Sequence, residues 1–232
     1  MESFKIRASA GSKINGIKGL GETGKTYLKQ WLKEKLFARR EDIKSKYITK
    51  GNVQEEEGFT LMATELNLGM VYKNIQFFED EYFCGTPDLI TEDTVYDNKC
   101  SWNLSTFPMF EKDVPNSDYE VQLQIYMHLT GKKKAVLCYT LIDGHDEEIE
   151  RQVKWQTNPK DIWKTINNLV YTKEYAETLF DRFCRTEADR EFVPIADNER
   201  IKTFEIEYSA EVIEKLITRV KESREFLNNL IN

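Results

Sequence analysis

The sequence predicts an α/β protein with a central mixed sheet of about five strands flanked by helices. Three observations predict it. Residues 71–102 carry short runs of β-type residues separated by acidic turns. Residues 134–142 (KAVLCYTLI) read as a buried strand. Residues 24–40 and 209–231 place apolar residues at helical spacing, with charge on the opposite face. At 232 residues the chain can build one substantial core. No repeat or low-complexity tract marks a boundary, so a single domain over 1–232 is expected.

The elements follow in order. Residues 1–23 are rich in Gly and Ser and read as an irregular arm. In 24–40, Tyr27, Leu28, Trp31, Leu32 and Leu36 form the apolar stripe of a basic helix. A second helix is expected over about 52–66, with Glu55, Glu56 and Glu57 in its first turns, where the helix dipole favours acids. A first strand holds Ile75, Phe77 and Phe78, and a second runs from Tyr82 to Leu89 and Ile90. A third covers 95–100. The short turns between them imply an antiparallel meander. Residues 103–117 contain Pro108 and Pro115 and read as a loop. Asp118 is a suitable N-cap for a helix to about 129, stopped by Gly131. Residues 149–155 alternate and are expected to pair with the strand at 134–142. A long helix is expected over 160–187, a late strand over 203–208 and a final helix over 209–231.

The net charge is −7, but its distribution is uneven. Residues 1–50 carry thirteen Lys/Arg against five Asp/Glu, and the remainder is acidic. A basic lobe beside an acidic site suits a protein that holds a polyanion. Lys25, Lys29, Lys33, Arg39 and Arg40 are the candidate backbone contacts. No apolar run approaches the roughly 18 residues of a membrane span, and the first residues have no apolar signal region. A cytoplasmic protein without membrane contact is expected. Cys84, Cys100, Cys138 and Cys184 show no C-x-x-C spacing, so a zinc ribbon is not expected.

The chemistry concentrates in Gly85-Thr86-Pro87-Asp88 and Asp97-Asn98-Lys99. Strand alternation puts Asp97 and Lys99 on one face. Pro87 interrupts strand pairing, which lets Asp88 turn toward Asp97. Glu55 supplies a third carboxylate from its helix. Hard oxygen ligands of this kind can hold a divalent metal beside a phosphodiester. Gln122 and Tyr126 follow one helical turn apart in QLQIY.

Taken as an ordered set, Gly51-x-x-x-Glu55, Asp88 in GTPDLI, Asp97-x-Lys99 and Gln122-x-x-x-Tyr126 resemble the motifs of the PD-(D/E)XK nuclease superfamily. The likeness is greatest to its RecB-type, YqaJ-type viral recombinase and lambda-type exonuclease branches, and spans about residues 45–155. The resemblance implies a restriction-endonuclease-like core and a deoxyribonuclease, specifically a phage-type recombination exonuclease acting on duplex DNA ends. It implies Mg²⁺, with Mn²⁺ able to substitute, held by Glu55, Asp88, Asp97 and the carbonyl of Asn98. Lys99 then orients the attacking water and stabilises phosphate charge, while Gln122 and Tyr126 position metal, lysine or DNA. It further implies a single-strand annealing protein as partner, ring-forming homo-oligomers and residence in a bacterial host's cytoplasm. Some relatives carry a histidine before the helix glutamate; here Gln54 stands there. The cysteine spacing does not match the iron–sulfur cluster of other RecB-type nucleases, so no cluster is expected.

Two alternatives stand beside this reading. Gly19 to Thr26 satisfies the P-loop pattern G-x-x-x-x-G-K-[ST], and 137–143 mimics a second nucleotide-binding strand. A P-loop must follow a buried strand, and residues 9–16 do not read as one. The other alternative is a DNA-binding module whose nuclease site is inactive.

Overall fold

The computed structural model describes residues 3–39, 46–183 and 192–231, with 46–53 described by their backbone alone. The N-terminal segment enters the core instead of forming an irregular arm. Phe4, Ile6, Ala8 and Ile14 are buried. Strand β1 (Ile6–Arg7) and the one-turn helix α1 (Gly11–Ile14) are too short to show a period in sequence. Helix α2 (Glu22–Phe37) buries Gly24, Leu28 and Leu32 and leaves its lysines outside. Helix α3 (Lys46–Glu65) begins earlier than expected.

The β region divides where proline falls. Strand β2 (Phe78–Glu79) pairs antiparallel with β3 (Phe83–Gly85), whose other edge takes β1 in parallel. Strand β4 (Leu89–Ile90) belongs to a different sheet, antiparallel to β5 (Thr94–Cys100). The single strand expected from Tyr82 to Ile90 therefore breaks at Thr86-Pro87, because proline brings no N–H to a ladder.

Helix α4 (Ser117–Thr130) is capped by Asn116, whose side chain accepts the Asp118 N–H at 3.0 Å. The cap lies two residues before the expected Asp118, which instead sits in the first turn. The helix ends at Gly131 as expected, in the left-handed region. Strand β6 (Lys134–Thr140) then runs parallel to β5, so β5–α4–β6 is a crossover unit and not a continued meander.

Residues expected to add a strand at 149–155 form helix α5 (Asp146–Val153). Its buried residues, Ile149 and Val153, are four apart, and three acids fill its first turn; both are helical signals. The expected helix over 160–187 is two helices, α6 (Pro159–Leu169) and α7 (Lys173–Phe183). The Asp143 carboxylate separates them by accepting the N–H groups of Tyr171 at 2.6 Å and Thr172 at 3.2 Å. Helices α5 to α7 share a separate apolar cluster around Ile149, Ile166 and Phe180. Strand β7 (Ile201–Glu207) returns antiparallel to β6, completing a sheet of order β4-β5-β6-β7, and helix α8 (Ala210–Ile231) closes the chain.

The larger sheet lies between two helical layers. One face meets α4, behind which lie α1, α2 and α8 around the main core of Val95, Leu123, Leu137 and Leu216. The other meets α3, where Met62, Leu89 and Cys138 are buried. The architecture is the expected α/β one, a mixed sheet between helices, with a small second sheet beside it. Among the described residues no helix is long and apolar enough to cross a membrane.

Helix α3 approaches β5 closely at Gly58. A Cβ there would come within 2.6 Å of Asn98 Nδ2 and 2.7 Å of Thr140 Oγ1. Alanine is the better helix former by about 1 kcal/mol. The clash is with side chains seated in the sheet, so overpacking of about 1–3 kcal/mol outweighs that gain. Gly58→Ala is expected to lower the urea midpoint with an unchanged m-value, by a net ~1 kcal/mol.

Candidate active site

Strand β5 distributes its side chains by alternation. Val95, Asp97 and Lys99 face α4, while Asn98 and Cys100 lie beside Gly58 of α3. Asp97 is 1% exposed. Its Oδ1 accepts from Gln122 Nε2 at 3.1 Å, and the same amide donates to the Tyr126 hydroxyl at 3.2 Å. Its Oδ2 forms an ion pair with Lys99 Nζ at 2.6 Å and has no other hydrogen-bond partner. The Lys99 ammonium also lies over the Tyr119 ring, 4.9 Å from its centroid. Residues 119, 122 and 126 share one stripe of α4, so one helix face carries all three contacts. Gly85 makes room for Tyr126, since a Cβ there would meet its ring at 2.7 Å.

Asp88 enters from the neighbouring strand end. The β4–β5 register pairs Leu89 with Tyr96, so one step further sets Asp88 opposite Asp97 and Pro87 opposite Asn98. Pro87 has no N–H to offer the Asn98 carbonyl. The Asn98 N–H is taken by Asp88 Oδ2 at 3.0 Å. The two carbonyls displaced from the ladder turn to Asn74: Asp88 O accepts its N–H at 2.7 Å, and Pro87 O accepts from its Nδ2 at 2.9 Å. Asn74 is thus laced to the Asp88 segment.

The electrostatics follow from this crowding. Burial and then the neighbouring Asp97 charge push the Asp88 carboxyl up to about 6, against the pull of the Asn98 N–H, Lys99 and Lys73. Burial works to lower the Lys99 pKa, but Asp97 outweighs it and, with Asp88 and Tyr119, moves it upward on balance. The charged ammonium is therefore the favoured form of Lys99. Burial, then Asp97, raises the Tyr126 phenol to about 12, so it stays protonated. Two carboxylates stand on neighbouring strands with one ammonium paired to Asp97, one buried oxygen has no partner but that ammonium, and a strand carbonyl lacks a ladder donor. Hard oxygen donors short of positive charge suit a small divalent cation.

The chain is similar over nearly its whole length to a phage-related exonuclease from Haemophilus somnus 129PT, with 22% identity, a TM-score of 0.74, and 99% of this chain and 96% of that one covered. It is also similar to the alkaline exonuclease LHK-Exo from Laribacter hongkongensis, at 13% identity and a TM-score of 0.65 over 98% of this chain and 89% of that one. The complex of LHK-Exo with dAMP gives 14% and 0.63 over the same shares. The fold is that of these exonucleases. No protein-family model and no curated protein matches the sequence.

Within this exonuclease fold, Asp88, Asp97, Asn98, Lys99, Gln122 and Tyr126 come together. Glu55 is held differently. Its carboxylate forms an ion pair with Lys73, and among the described residues no three acidic, histidine or cysteine side chains converge as a metal-binding group. Gln54 is buried and donates to the Asp143 carbonyl. Lys29, Lys33 and Arg39 are exposed on and just beyond α2, Lys25 pairs with Glu22 at 2.7 Å, and Arg40 lies outside the described residues. Cys84, Cys100 and Cys138 lie on three different strands, and Cys184 lies outside the described residues.

The P-loop alternative fails structurally. The segment before Gly19 is α1 and a turn, with no strand beneath the loop. Asp143 is occupied in holding the Tyr171–Thr172 link between α6 and α7. Three residues near the site were not expected from sequence. Tyr119 had a signal, being one turn before Gln122 on the same stripe. Lys73 and Asn74 had none, because they lie in irregular chain outside any motif.

The Asp88 shift makes a stability prediction. Its folded pKa of about 6 lies above the ordinary 3.8, so the folded form keeps its proton where the unfolded form has lost it. The charged carboxylate therefore destabilises the metal-free fold at neutral pH, and this cost disappears as pH falls through 6 toward 4. In EDTA, Asp88→Asn is expected to melt about 5 °C above wild type at pH 7.5, with the gap closing by pH 4.5. Thermal melts across that range measure it; a constant gap contradicts it.

Proposed function

We propose that this chain is a divalent-metal-dependent deoxyribonuclease, an exonuclease that digests duplex DNA from an end. The observation that carries the reading is the opposed pair Asp88 and Asp97, charge-deficient and flanked by Lys99, on the fold of phage-type exonucleases. That one similar enzyme is known in complex with dAMP, a deoxynucleotide, supports DNA as the substrate class.

Asp88, Asp97 and the Asn98 carbonyl would hold Mg²⁺ or Mn²⁺, which supplies Lewis-acid activation of water and neutralises the scissile phosphate. The chain's own residues do the rest. Gln122 holds Asp97 Oδ1, leaving Oδ2 to face Lys99. Tyr126, protonated and tied to the same amide, fixes the rotamer of Gln122. Lys99, whose charged form its carboxylate neighbours favour, orients water and stabilises developing negative charge. Tyr119 covers the ammonium and limits its motion.

Lys99→Ala is expected to reduce turnover at least about 100-fold. Asp97→Asn removes the ligand charge and should also weaken Mn²⁺ binding. The assay is release of nucleotides from end-labelled linear duplex, with closed circular DNA and EDTA as controls. Equal digestion of the closed circle would exclude an end requirement, and full turnover in EDTA would exclude the metal.

The exposed row on α2 is assigned to the DNA backbone. Phosphate contacts release counter-ions, and log affinity falls with log salt by roughly 0.9 per contact. Lys29→Ala/Lys33→Ala/Arg39→Ala is expected to flatten that slope by about 2–3 and weaken binding alike on all sequences, with little change in rate at saturating DNA. An unchanged slope in a fluorescence-anisotropy titration would leave these residues as solvated surface.

A further inference from the structure

A second lysine, Lys73, stands at the site outside every motif. Its Nζ forms an ion pair with Glu55, and both side chains are about 40% exposed. Its backbone is not free to wander. The next residue, Asn74, is bonded through its N–H to Asp88 O and through its side chain to Pro87 O, and its Oδ1 accepts the Gln76 N–H at 3.1 Å. Lys73 is therefore carried by the same backbone unit as Asp88, and its charge is felt there. The site holds two lysines of different kind. Lys99 is packed against Asp97 and Tyr119 and has little freedom to leave. Lys73 is long, half-exposed and bound to a carboxylate that it shares with nothing else described.

Building on the nuclease reading, we propose that Lys73 is an exchangeable counter-ion: it neutralises Glu55 in the metal-free protein and transfers to a DNA phosphate when Glu55 turns to the divalent cation. The charges support the exchange. Three carboxylates around one cation would leave the Lys73 ammonium unpaired, and the incoming phosphodiester supplies the anion. The exchange also explains why Glu55 stands apart from Asp88 and Asp97 in this structure. Lys73 becomes a positioning residue for substrate, and cation and DNA binding become mutually reinforcing, since each removes one partner from the Glu55–Lys73 pair.

The test separates this proposal from the nuclease reading itself. Mn²⁺ is titrated into DNA-free protein by calorimetry. Lys73→Met removes the competitor for Glu55 and is expected to tighten Mn²⁺ binding about two- to fivefold. In a Glu55→Gln background the same substitution should have a markedly smaller effect, limited to the loss of the Lys73 charge felt at Asp88. In a second measurement, binding of a duplex end in Ca²⁺, Lys73→Met should weaken affinity and lower the salt slope by about 0.9. Wild-type protein that binds Mn²⁺ with the same affinity as Lys73→Met overturns the role of Lys73 and leaves the nuclease reading intact. Wild-type protein that binds no Mn²⁺ overturns both. Lys73→Arg, which keeps the charge, should preserve the DNA salt slope; its loss there would indicate a purely local structural role.

Discussion

The site depends on a strand that cannot continue. At Pro87 the β4 ladder loses a donor, and three groups on either side must find other partners. The Asn98 N–H goes to the Asp88 carboxylate, and the Pro87 and Asp88 carbonyls go to Asn74. Had the ladder continued, Asp88 would have been one more side chain standing off the sheet. The interruption instead draws its carboxylate into the backbone of β5, opposite Asp97. Burying two carboxylates together is unfavourable in water-poor surroundings, and the upward shift at Asp88 expresses that cost. The arrangement persists because the surrounding fold is large and well packed. The charge imbalance left behind is the physical basis for reading the site as a cation centre.

Everything around the pair limits its freedom. Helix α4 arrives by the β5–α4–β6 crossover and presents Tyr119, Gln122 and Tyr126 on one stripe. Helix α3 packs on the opposite face, close enough that only glycine fits at position 58. The parallel pairing of β5 and β6 requires the crossover, and the crossover places α4 over Asp97 and Lys99. Topology and chemistry are thus linked by one connection. The helices α5 to α7 form a separate apolar cluster, and Asp143 holds the link between α6 and α7 while its carbonyl accepts from Gln54 of α3.

The motif residues were legible in sequence because they lie on elements with strong local signals. D-x-K on an alternating strand shares a face by geometry, and Gln122 and Tyr126 share a face by helical period. The misreadings have local causes too. The alternation at 149–155 concealed an i, i+4 pair, and the run at 160–187 gave no sign that a distant Asp143 would bind its middle at Tyr171 and Thr172. The N-terminal residues that enter the core do so in pieces of two to four residues, below the length at which any period shows. Glu55 was placed on the right helix, but its partner came from irregular chain that carried no motif.

By itself the sequence determined the α/β class, the order of the long elements and the face on which each motif side chain stands. Backbone geometry ties these properties to residue spacing alone. The tertiary structure decided what those faces meet. It set the division of the strands into two sheets at Pro87, the parallel partner of β5, the opposition of Asp88 and Asp97, and the capture of Glu55 by Lys73. Each depends on contacts between residues distant in sequence, whose energies come from burial and charge at close range. No local pattern encodes a neighbour that only the folded chain brings near.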